Sequence, residues 1–449
     1  MKFIPNSIEK DSMLKEIGLK DIDDLFVDIS KDIRVKNLDL ADGLSQQDVE
    51  KKLRNISKNN KSYIENLSFL GGGIKPHYIP AVVKSICSRS EFFTSYTPYQ
   101  SEASQGFLQA MFEYQSMIAE LLKMDIANCS LYDGFTALGE AALMCTRINR
   151  KNTFLIPDSI SWDKKSVLKN YVKGANIEIK EILYDKYSGK IDIHDLENNI
   201  NSDTAGVYLE NPNFFGVLED DIEKISKIVG GSDALFVVGV DPLSLGIVNS
   251  PGDYGADIVI GEGRSLGGSI SFGGSSLGLF ACKKDFLRQM PGRIIGLTSD
   301  VDAKQSFCMA LQTREQHIRR GRATSNICTN EGLCALTAVT YLSWLGGEGL
   351  ENLSRINFEK GQILAEVVES VSGFNKMFSG VHFNELLVEC PDNPNVINKK
   401  LLKRGIQGGL PVDSYHPDLK DCMLFGVTEL HSDEDIRKLG IMLKEVAHV

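Results

Sequence analysis

The sequence predicts an α/β protein whose large domain is built on a mostly parallel sheet. Short β-rich runs alternate with helix-like segments through the middle of the chain, and these runs are almost continuously apolar. Of the 449 residues, 42% are hydrophobic and 24% are charged, which is enough apolar material for a large core. Apolar strands separated by helices are typical of a parallel sheet that is covered on both faces.

The predicted strands follow one another along the middle of the chain. They are Thr153–Pro157, Ile177–Ile182, Ala205–Glu210, Ala234–Val240, Asp257–Ile260 and Leu277–Cys282. Helix-like segments lie among the first four of them, near 136–149, 160–173, 192–200 and 220–229. We therefore place a large domain at residues 61–315.

Residues 1–60 are predicted to form an arm of short helices. Ser7 is a candidate cap for a first helix that Gly18 ends. Ser45, with Asp48 three residues further on, has the spacing of a capping box for a second helix near 45–58. These helices are too short to build a core, so we expect the arm to pack on its own body or on a partner chain.

Residues 316–449 are predicted to form a smaller C-terminal α/β domain. An arginine-rich transition, Gln312–Arg322, precedes a helix over Asn326–Leu345. These arginines suit a solvated or interdomain helix better than an anion site. The later elements are strands at Leu386–Glu389 and Met423–Thr428 and a final helix that begins near Ser432.

Charge and cysteine usage narrow the class of function. The formal charge of −11 and the lack of a basic run argue against nucleic acid as a partner. No secretory signal and no stretch of about 18 apolar residues is recognisable, so we expect a cytoplasmic protein without a membrane span. The nine cysteines contain no Cys-x-x-Cys pair and the seven histidines no ligand spacing, which argues against a metal centre and a disulfide framework.

Two features lie where an open parallel sheet binds its ligands, beyond the carboxyl ends of the strands. Asp241 follows the strand Ala234–Val240, where an aspartate can hold the ring nitrogen of pyridoxal phosphate protonated; the alternative is an ordinary turn aspartate. The turn Asp133-Gly134-Phe135-Thr136 opens a helix, and its backbone N–H groups suit a phosphate. Neither feature is specific by itself.

An absent lysine is the most informative feature. A pyridoxal-phosphate enzyme with this kind of sheet attaches its cofactor to a lysine one strand after the aspartate. No lysine occurs from Ile228 to Cys282, and Arg264 and Ser265 stand where the amine is expected. Lys283 and Lys284 follow the next strand instead. The nearby run Gly261–Gly268 has neither the spacing nor the following helix of a dinucleotide fingerprint.

A polar loop precedes a long helix near 102–124. Pro98 holds this loop extended, and the neighbouring side chains suit a pocket wall or a subunit contact. The alternative is a turn packed on its own domain. The candidate residues are Tyr96, Pro98, Tyr99, Gln100 and Glu102.

Several of these stretches resemble one family, the glycine-cleavage P-protein. Within it the chain is most similar to the alpha chain of the two-subunit form, and the resemblance extends from Phe3-Ile4-Pro5-Asn6 to Val427–His431. The motifs are Tyr96–Glu102, Glu113-Tyr114-Gln115, Ser130–Gly134, Gly255–Ile258, Thr313–Arg320 and Thr324–Thr329.

This resemblance implies an aminotransferase-like fold of the pyridoxal-phosphate fold type I. It also implies that the beta chain carries the cofactor lysine, so that pyridoxal phosphate is present in the complex and none is bound covalently to this chain. Part of the pocket here would then be a vestige of a duplicated cofactor site. The vestigial residues are Asp133, Gly134, Thr136, Asp241, Arg264 and Ser265.

The implied activity is that of glycine dehydrogenase (aminomethyl-transferring). With a beta subunit, in a heterodimer or a heterotetramer of two alpha and two beta chains, the chain would decarboxylate glycine and pass the aminomethyl group to the lipoyl arm of the H-protein. The loop Tyr96–Glu102 would lie at the active site or the subunit interface. Two alternatives remain: a self-sufficient pyridoxal-phosphate enzyme that uses Lys283 or Lys284, and a non-catalytic scaffold subunit.

Overall fold

The structure is a computed structural model, which describes residues 8–35, 39–93 and 97–447. These residues divide between Ser62 and Tyr63 into a small N-terminal unit and a large unit. No helix in the described ranges is both long and apolar enough to cross a membrane.

The described residues of the N-terminal unit form two α-helices, α1 (Lys10–Glu16) and α2 (Gln46–Ser57). The Ser45 hydroxyl accepts a hydrogen bond from the Asp48 N–H at 3.2 Å, so the predicted cap of the second helix is confirmed. The predicted cap at Ser7 lies outside the described residues. Most apolar side chains of this unit are exposed, and Leu14 is buried.

The large unit contains eleven α-helices and fifteen strands among its described residues. The helices are α3 (Ala81–Cys87), α4 (Ser90–Phe93), α5 (Gln105–Leu122), α6 (Gly134–Asn149), α7 (Trp162–Val172), α8 (Ile193–Asn199), α9 (Ile222–Gly230), α10 (Gln316–Arg319), α11 (Gly332–Glu369), α12 (Pro394–Leu402) and α13 (Asp433–Ala447). The strands are β1 (Leu67–Ser68), β2 (Ile126–Ala127), β3 (Thr153–Pro157), β4 (Glu178–Ile182), β5 (Thr204–Asn211), β6 (Leu235–Val240), β7 (Ile258–Glu262), β8 (Gly278–Cys282), β9 (Ile294–Ser299), β10 (Gln305–Ala310), β11 (Asn375–Lys376), β12 (Glu385–Glu389), β13 (Ile406–Gln407), β14 (Leu410–Pro411) and β15 (Cys422–Gly426).

The main sheet has seven strands in the order β2-β8-β7-β6-β5-β3-β4. Strands β3 to β7 run parallel, whereas β8 is antiparallel to β7 and β2 is antiparallel to β8. The six predicted strands are all present, with ends that differ by at most two residues. The mostly parallel α/β sheet is therefore confirmed.

Both faces of this sheet are covered by helices, and alternate residues of each strand face opposite layers. In β6, Val237 packs in the cluster that includes Leu138 of α6, and Val238 packs in the cluster that includes Leu108 of α5. Because side chains alternate with period two, the residues two and four beyond Val237 lie on the α6 face. These residues are Gly239 and Asp241.

A smaller antiparallel sheet, in the order β11-β12-β15-β14, packs with α11, α12 and α13 near the C-terminus. The segment before α3 lies beside it, since the Gly71 N–H donates to the Leu424 carbonyl of β15 at 3.1 Å, while β1 forms a separate two-stranded sheet with β13. Residues 67–71, which we assigned to the large domain from the sequence, thus lie along the small sheet.

The helix expected over 326–345 differs from the observed one. Helix α11 begins at Gly332 and continues to Glu369, with a kink at Gly346, where φ is +62°. The residues before it are held by the large domain. The Asn330 side chain donates to the Cys129 carbonyl at 3.2 Å, and the Glu331 N–H donates to the Ser130 hydroxyl at 3.0 Å. These bonds fix an irregular backbone that local sequence cannot reveal.

Candidate functional site

The candidate site is a cavity of about 160 Å³ at the carboxyl ends of β5, β6 and β7. Its walls include the start of α6, the segment around Gly72 and the first residues of β12. This is the edge at which open parallel sheets bind ligands. Of the predicted cofactor-pocket residues, Gly134, Asp241, Arg264 and Ser265 line the cavity.

Three carboxylates meet at this edge on the α6 face. Glu210 follows Tyr208 by two residues in β5, and Glu262 follows Ile260 by two residues in β7. The pairing of Val240 with Gly261 brings Asp241 level with Glu262. The sheet therefore concentrates negative charge here, and neighbouring groups must compensate for it.

Asp241 takes part in a turn. Its Oδ1 accepts from the Leu243 N–H at 3.0 Å, and its carbonyl accepts from the Ser244 hydroxyl at 2.7 Å. The turn thus engages one of the two carboxylate oxygens of Asp241, as expected for an ordinary turn aspartate.

The turn at Asp133 satisfies its own groups. Asp133 Oδ1 accepts from the Thr136 N–H at 2.6 Å, and the Thr136 hydroxyl accepts from the Asp133 N–H at 3.2 Å. This is a reciprocal capping box at the start of α6. Asp133 and Thr136 hold the helix terminus in place rather than lining the cavity.

Glu262 lies against this helix terminus. Its Oε2 accepts from the Gly134 N–H at 3.1 Å, and its Oε1 accepts from the N–H groups of Arg264 at 3.0 Å and Leu277 at 2.9 Å. Burial raises the pKa of Glu262, and these three backbone donors oppose that rise. The Gly134 N–H, which was predicted to suit a phosphate, therefore donates to a side chain of the protein itself.

Arg264 and Ser265 form a short 3-10 turn directly after β7. The Arg264 Nη2 donates to the Ser276 hydroxyl and, at 3.4 Å each, to the carbonyls of Gly273 and Gly274. The guanidinium is thus anchored on the loop before β8. Its Nε and Nη1, like the Ser265 hydroxyl, are buried without a hydrogen-bond partner among the described residues.

Two lysines line the cavity, and each forms an ion pair. Lys164 pairs with Glu210, which also accepts from the Tyr208 hydroxyl at 2.8 Å. Lys75 pairs with Glu385 at 3.0 Å. Neither amine is held ready for imine formation.

Lys283 lies at the other end of the sheet. Because β8 is antiparallel to β7, its last residue, Cys282, pairs with Ile258 at the start of β7. The Lys283 amine contacts Asp257 Oδ1 at 2.6 Å. Glu262 is five residues beyond Asp257 along β7, roughly 16 Å away at about 3.3 Å per residue. Lys284 is also at that end, where its N–H donates to Asp125.

The described part of the polar loop, residues 97–102, does not line the cavity. Tyr96 is not among the described residues, Pro98 is buried, and Gln100 and Glu102 are exposed. The Tyr99 side chain is 57% exposed, and its ring centroid is 5.7 Å from the Arg293 Cζ and 6.0 Å from the His317 ring centroid. The structure therefore separates this exposed loop from the predicted cofactor-pocket residues.

The cavity does not fit pyridoxal phosphate, the cofactor that the resemblance implies. The Gly134 amide at the start of α6 already bonds Glu262, and both lining lysines are paired. Within residues 8–35, 39–93 and 97–447, no group of three or more His, Cys, Asp or Glu side chains could hold a metal ion.

Sequence reasoning missed Glu262, Glu210 and the two lining lysines. Period-two alternation would have placed both glutamates at the ligand edge on one face, because each follows apolar strand residues by two. Lys75 and Lys164 lie far from these strands in sequence, and only the fold brings them near.

Comparison with known proteins shows similarity over nearly the whole chain. The family model described as glycine cleavage system P-protein matches residues 1–443. A probable glycine dehydrogenase (decarboxylating) subunit 1 of Thermococcus onnurineus is 46% identical over 99% of each chain. The protein of the same description from Desulforamulus reducens is 44% identical over 100% of each chain.

Comparison with solved structures shows similarity over the same length of chain. A glycine decarboxylase (P-protein) of the glycine cleavage system, in inhibitor-bound form, has a TM-score of 0.92 and 38% identity, covering 99% of this chain and 100% of its own. A sphingosine-1-phosphate lyase of Burkholderia pseudomallei has a TM-score of 0.66 at 14% identity, covering 93% and 94%, and so shares the fold alone. The pyridoxal-phosphate fold type I is confirmed.

Proposed function

The chain belongs to the glycine cleavage system P-protein family, and we propose that it works as the alpha subunit of a two-chain glycine decarboxylase. A beta subunit, in a heterodimer or an assembly of two alpha and two beta chains, carries pyridoxal phosphate. The pair decarboxylates glycine and passes the aminomethyl group to the lipoyl arm of the H-protein.

One observation supports this division of roles between the two chains. The chain has the fold of a pyridoxal-phosphate enzyme, yet its cavity offers no unpaired lysine at the carboxyl ends of β6 and β7. Arg264, which follows β7, carries a guanidinium group in place of the primary amine that an imine requires. The amine must then come from another chain.

The contribution of this chain is a wall of the partner's active site. The loop 97–102 is held against the large domain, since the Arg293 Nη1 donates to the Thr97 hydroxyl at 3.4 Å and to the Thr329 hydroxyl at 3.0 Å. An exposed tyrosine on an anchored loop suits an interface centre. Decarboxylation of a small charged substrate gains from a cleft that excludes water and presents fixed polar groups, and a cleft closed by two subunits provides both.

The test is exchange of labelled bicarbonate into glycine, measured for each chain alone and for both together, always with the H-protein. We expect exchange only when both chains are present. Full exchange without this chain would refute the proposal and favour a non-catalytic scaffold.

Addition of pyridoxal phosphate to this chain alone distinguishes the proposed subunit from a self-sufficient enzyme. We expect no imine after addition of pyridoxal phosphate and reduction with borohydride, because the lining amines of Lys75 and Lys164 are paired and Lys283 lies at the opposite edge. Peptide mapping provides the measurement. One stoichiometrically labelled lysine peptide would establish the self-sufficient enzyme instead.

A further inference from the structure

The anion position at the start of α6 is filled by a side chain of the protein itself. Helix α6 has 16 residues, and unpaired N–H groups and the positive end of its dipole converge at its first turn. Glu262 reaches this turn from the end of β7 and accepts from the Gly134 N–H at 3.1 Å. A Cβ on Gly134 would lie 3.2 Å from the backbone of Gly261 and Glu262, so a side chain there would crowd this close approach.

The same carboxylate joins three separate segments. Besides α6, it accepts from the Arg264 N–H in the turn after β7 and from the Leu277 N–H just before β8. These backbone N–H groups favour the charged form of the carboxylate and fix its orientation, against the burial that raises its pKa. Glu262 therefore occupies the site of a bound anion and links the segments around it.

Apart from Arg264, the basic side chains that line the cavity are also engaged. Lys164 pairs with Glu210, Lys75 pairs with Glu385, and the His77 Nδ1 lies 3.0 Å from Glu429 Oε2. Glu385 also accepts from the N–H groups of Gly72 and Gly73 at 2.8 and 2.9 Å. An incoming phosphate would have to break these contacts and displace a carboxylate of like charge.

We propose that Glu262 is a built-in anion that occupies the anion position at the start of α6 and keeps phosphate ligands out of the cavity of this chain. The inference concerns this chain alone and does not depend on the proposed function. It predicts that removal of the carboxylate frees the Gly134, Arg264 and Leu277 amides for an external anion. The Arg264 Nε and Nη1, which lack a hydrogen-bond partner within the described ranges, provide additional donors.

The experiment compares the full-length chain with its Glu262→Ala variant, using inorganic phosphate, pyridoxal phosphate and pyridoxal as probes. Calorimetry and thermal shift should show that Glu262→Ala binds phosphate at least about tenfold more tightly than wild type, since charge-assisted bonds to the freed amides become available. Pyridoxal, which lacks the phosphate, should bind neither protein. Glu219→Ala is the matched control, because Glu219 is a buried carboxylate that accepts a backbone N–H from Ile191 at 2.9 Å outside the cavity.

Binding of phosphate by wild type as tight as that by Glu262→Ala, or equal binding by Glu262→Ala and Glu219→Ala, would overturn the proposal. If Glu262→Ala does not fold, Glu262→Gln keeps the volume and one acceptor oxygen but lacks the charge. Hydrogen exchange should then accelerate in the peptides that contain Gly134 and Leu277 relative to wild type. Unchanged exchange in these peptides would equally overturn it.

Discussion

Tyr99 is an exposed aromatic side chain whose surroundings give it a defined position. The Arg293 guanidinium lies over its ring, and the His317 ring meets it nearly edge on, with an interplanar angle of 68°. Contacts of this kind hold an exposed side chain in one orientation and lower the entropy cost of binding a partner. This geometry favours a preorganised contact between Tyr99 and a partner.

Replacement of Tyr99 by Ala should lower the turnover of the reconstituted two-chain enzyme by about tenfold, because interface tyrosines often contribute more than 1 kcal/mol. Steady-state kinetics with the beta subunit and H-protein would measure this. The control is Tyr187→Ala, which removes a tyrosine that is 78% exposed in another part of the large unit. Equal activities of the two variants would favour a turn that only packs on its own domain.

Glu219 makes stability depend on pH. Burial raises its pKa from 4.5 to about 7, with the Ile191 N–H opposing the shift. A carboxyl whose pKa is raised by folding stabilises the fold fully below its unfolded pKa, and this contribution is lost as the pH rises through about 7. Ionised Glu219 is therefore costly at alkaline pH.

The Glu219→Gln variant should gain stability relative to wild type as the pH rises from 5 to 8, by up to about 3 kcal/mol. Denaturant unfolding at four pH values in that range provides the measurement. The glutamine keeps the size of the side chain and an acceptor for the Ile191 N–H. Parallel stability curves for the two proteins would show that Glu219 does not titrate in this range.

Helix α11 packs so closely on the small domain that one position excludes a side chain. A Cβ on Gly361 would overlap the Phe383 carbonyl oxygen, and the Gly361 carbonyl lies 3.0 Å from the His382 Nε2. The helix thus approaches the chain before β12 backbone to backbone. Close packing of this kind fixes the position of the small sheet relative to the helix.

Gly361→Ala should lower the free energy of unfolding by about 1–3 kcal/mol, because the overlap outweighs the better helix propensity of alanine. Gly347→Ala in the same helix is the matched control, since a Cβ there meets nothing within 4 Å. That variant should gain up to about 1 kcal/mol. Thermal or denaturant unfolding of both variants measures the difference, and a gain in both would mean that the helix can shift away.

The two units of the molecule differ in how far their apolar side chains are buried. The large unit has a continuous core on both faces of its sheet, whereas α2 exposes Val49, Leu53 and Ile56 by 39%, 59% and 52%. These three residues recur at helical spacing and share one face. An apolar helix face of this kind suits a partner surface.

Leu53→Glu should weaken association with the beta subunit by at least about tenfold and leave the unfolding of the isolated chain unchanged, since burial of a leucine is worth about 1.5–3 kcal/mol. Analytical ultracentrifugation of the mixed chains would measure association. Lys52→Glu adds the same side chain at a neighbouring exposed position and should have a smaller effect. If Leu53→Glu destabilises the isolated chain, the arm packs on its own body instead.

Local sequence determined six of the seven strands of the main sheet and the lysine-free stretch that follows α9. Apolar runs such as Ala234–Val240 are buried in any arrangement of a two-faced sheet, so their pattern is enough to predict them. The lack of a lysine between Ile228 and Cys282 needs no structure at all. The observation behind the proposed division of roles was therefore readable from the sequence.

Tertiary structure alone decided how the pocket is filled. The antiparallel direction of β8 moves Lys283 to the opposite edge, and the fold brings Glu262 to the amide of Gly134, which is 128 residues away in sequence. Lys75 and Glu385 meet across a still longer separation. Strand direction and such contacts depend on the packing of the whole chain, because the free energy of a buried charge is set by the groups that surround it.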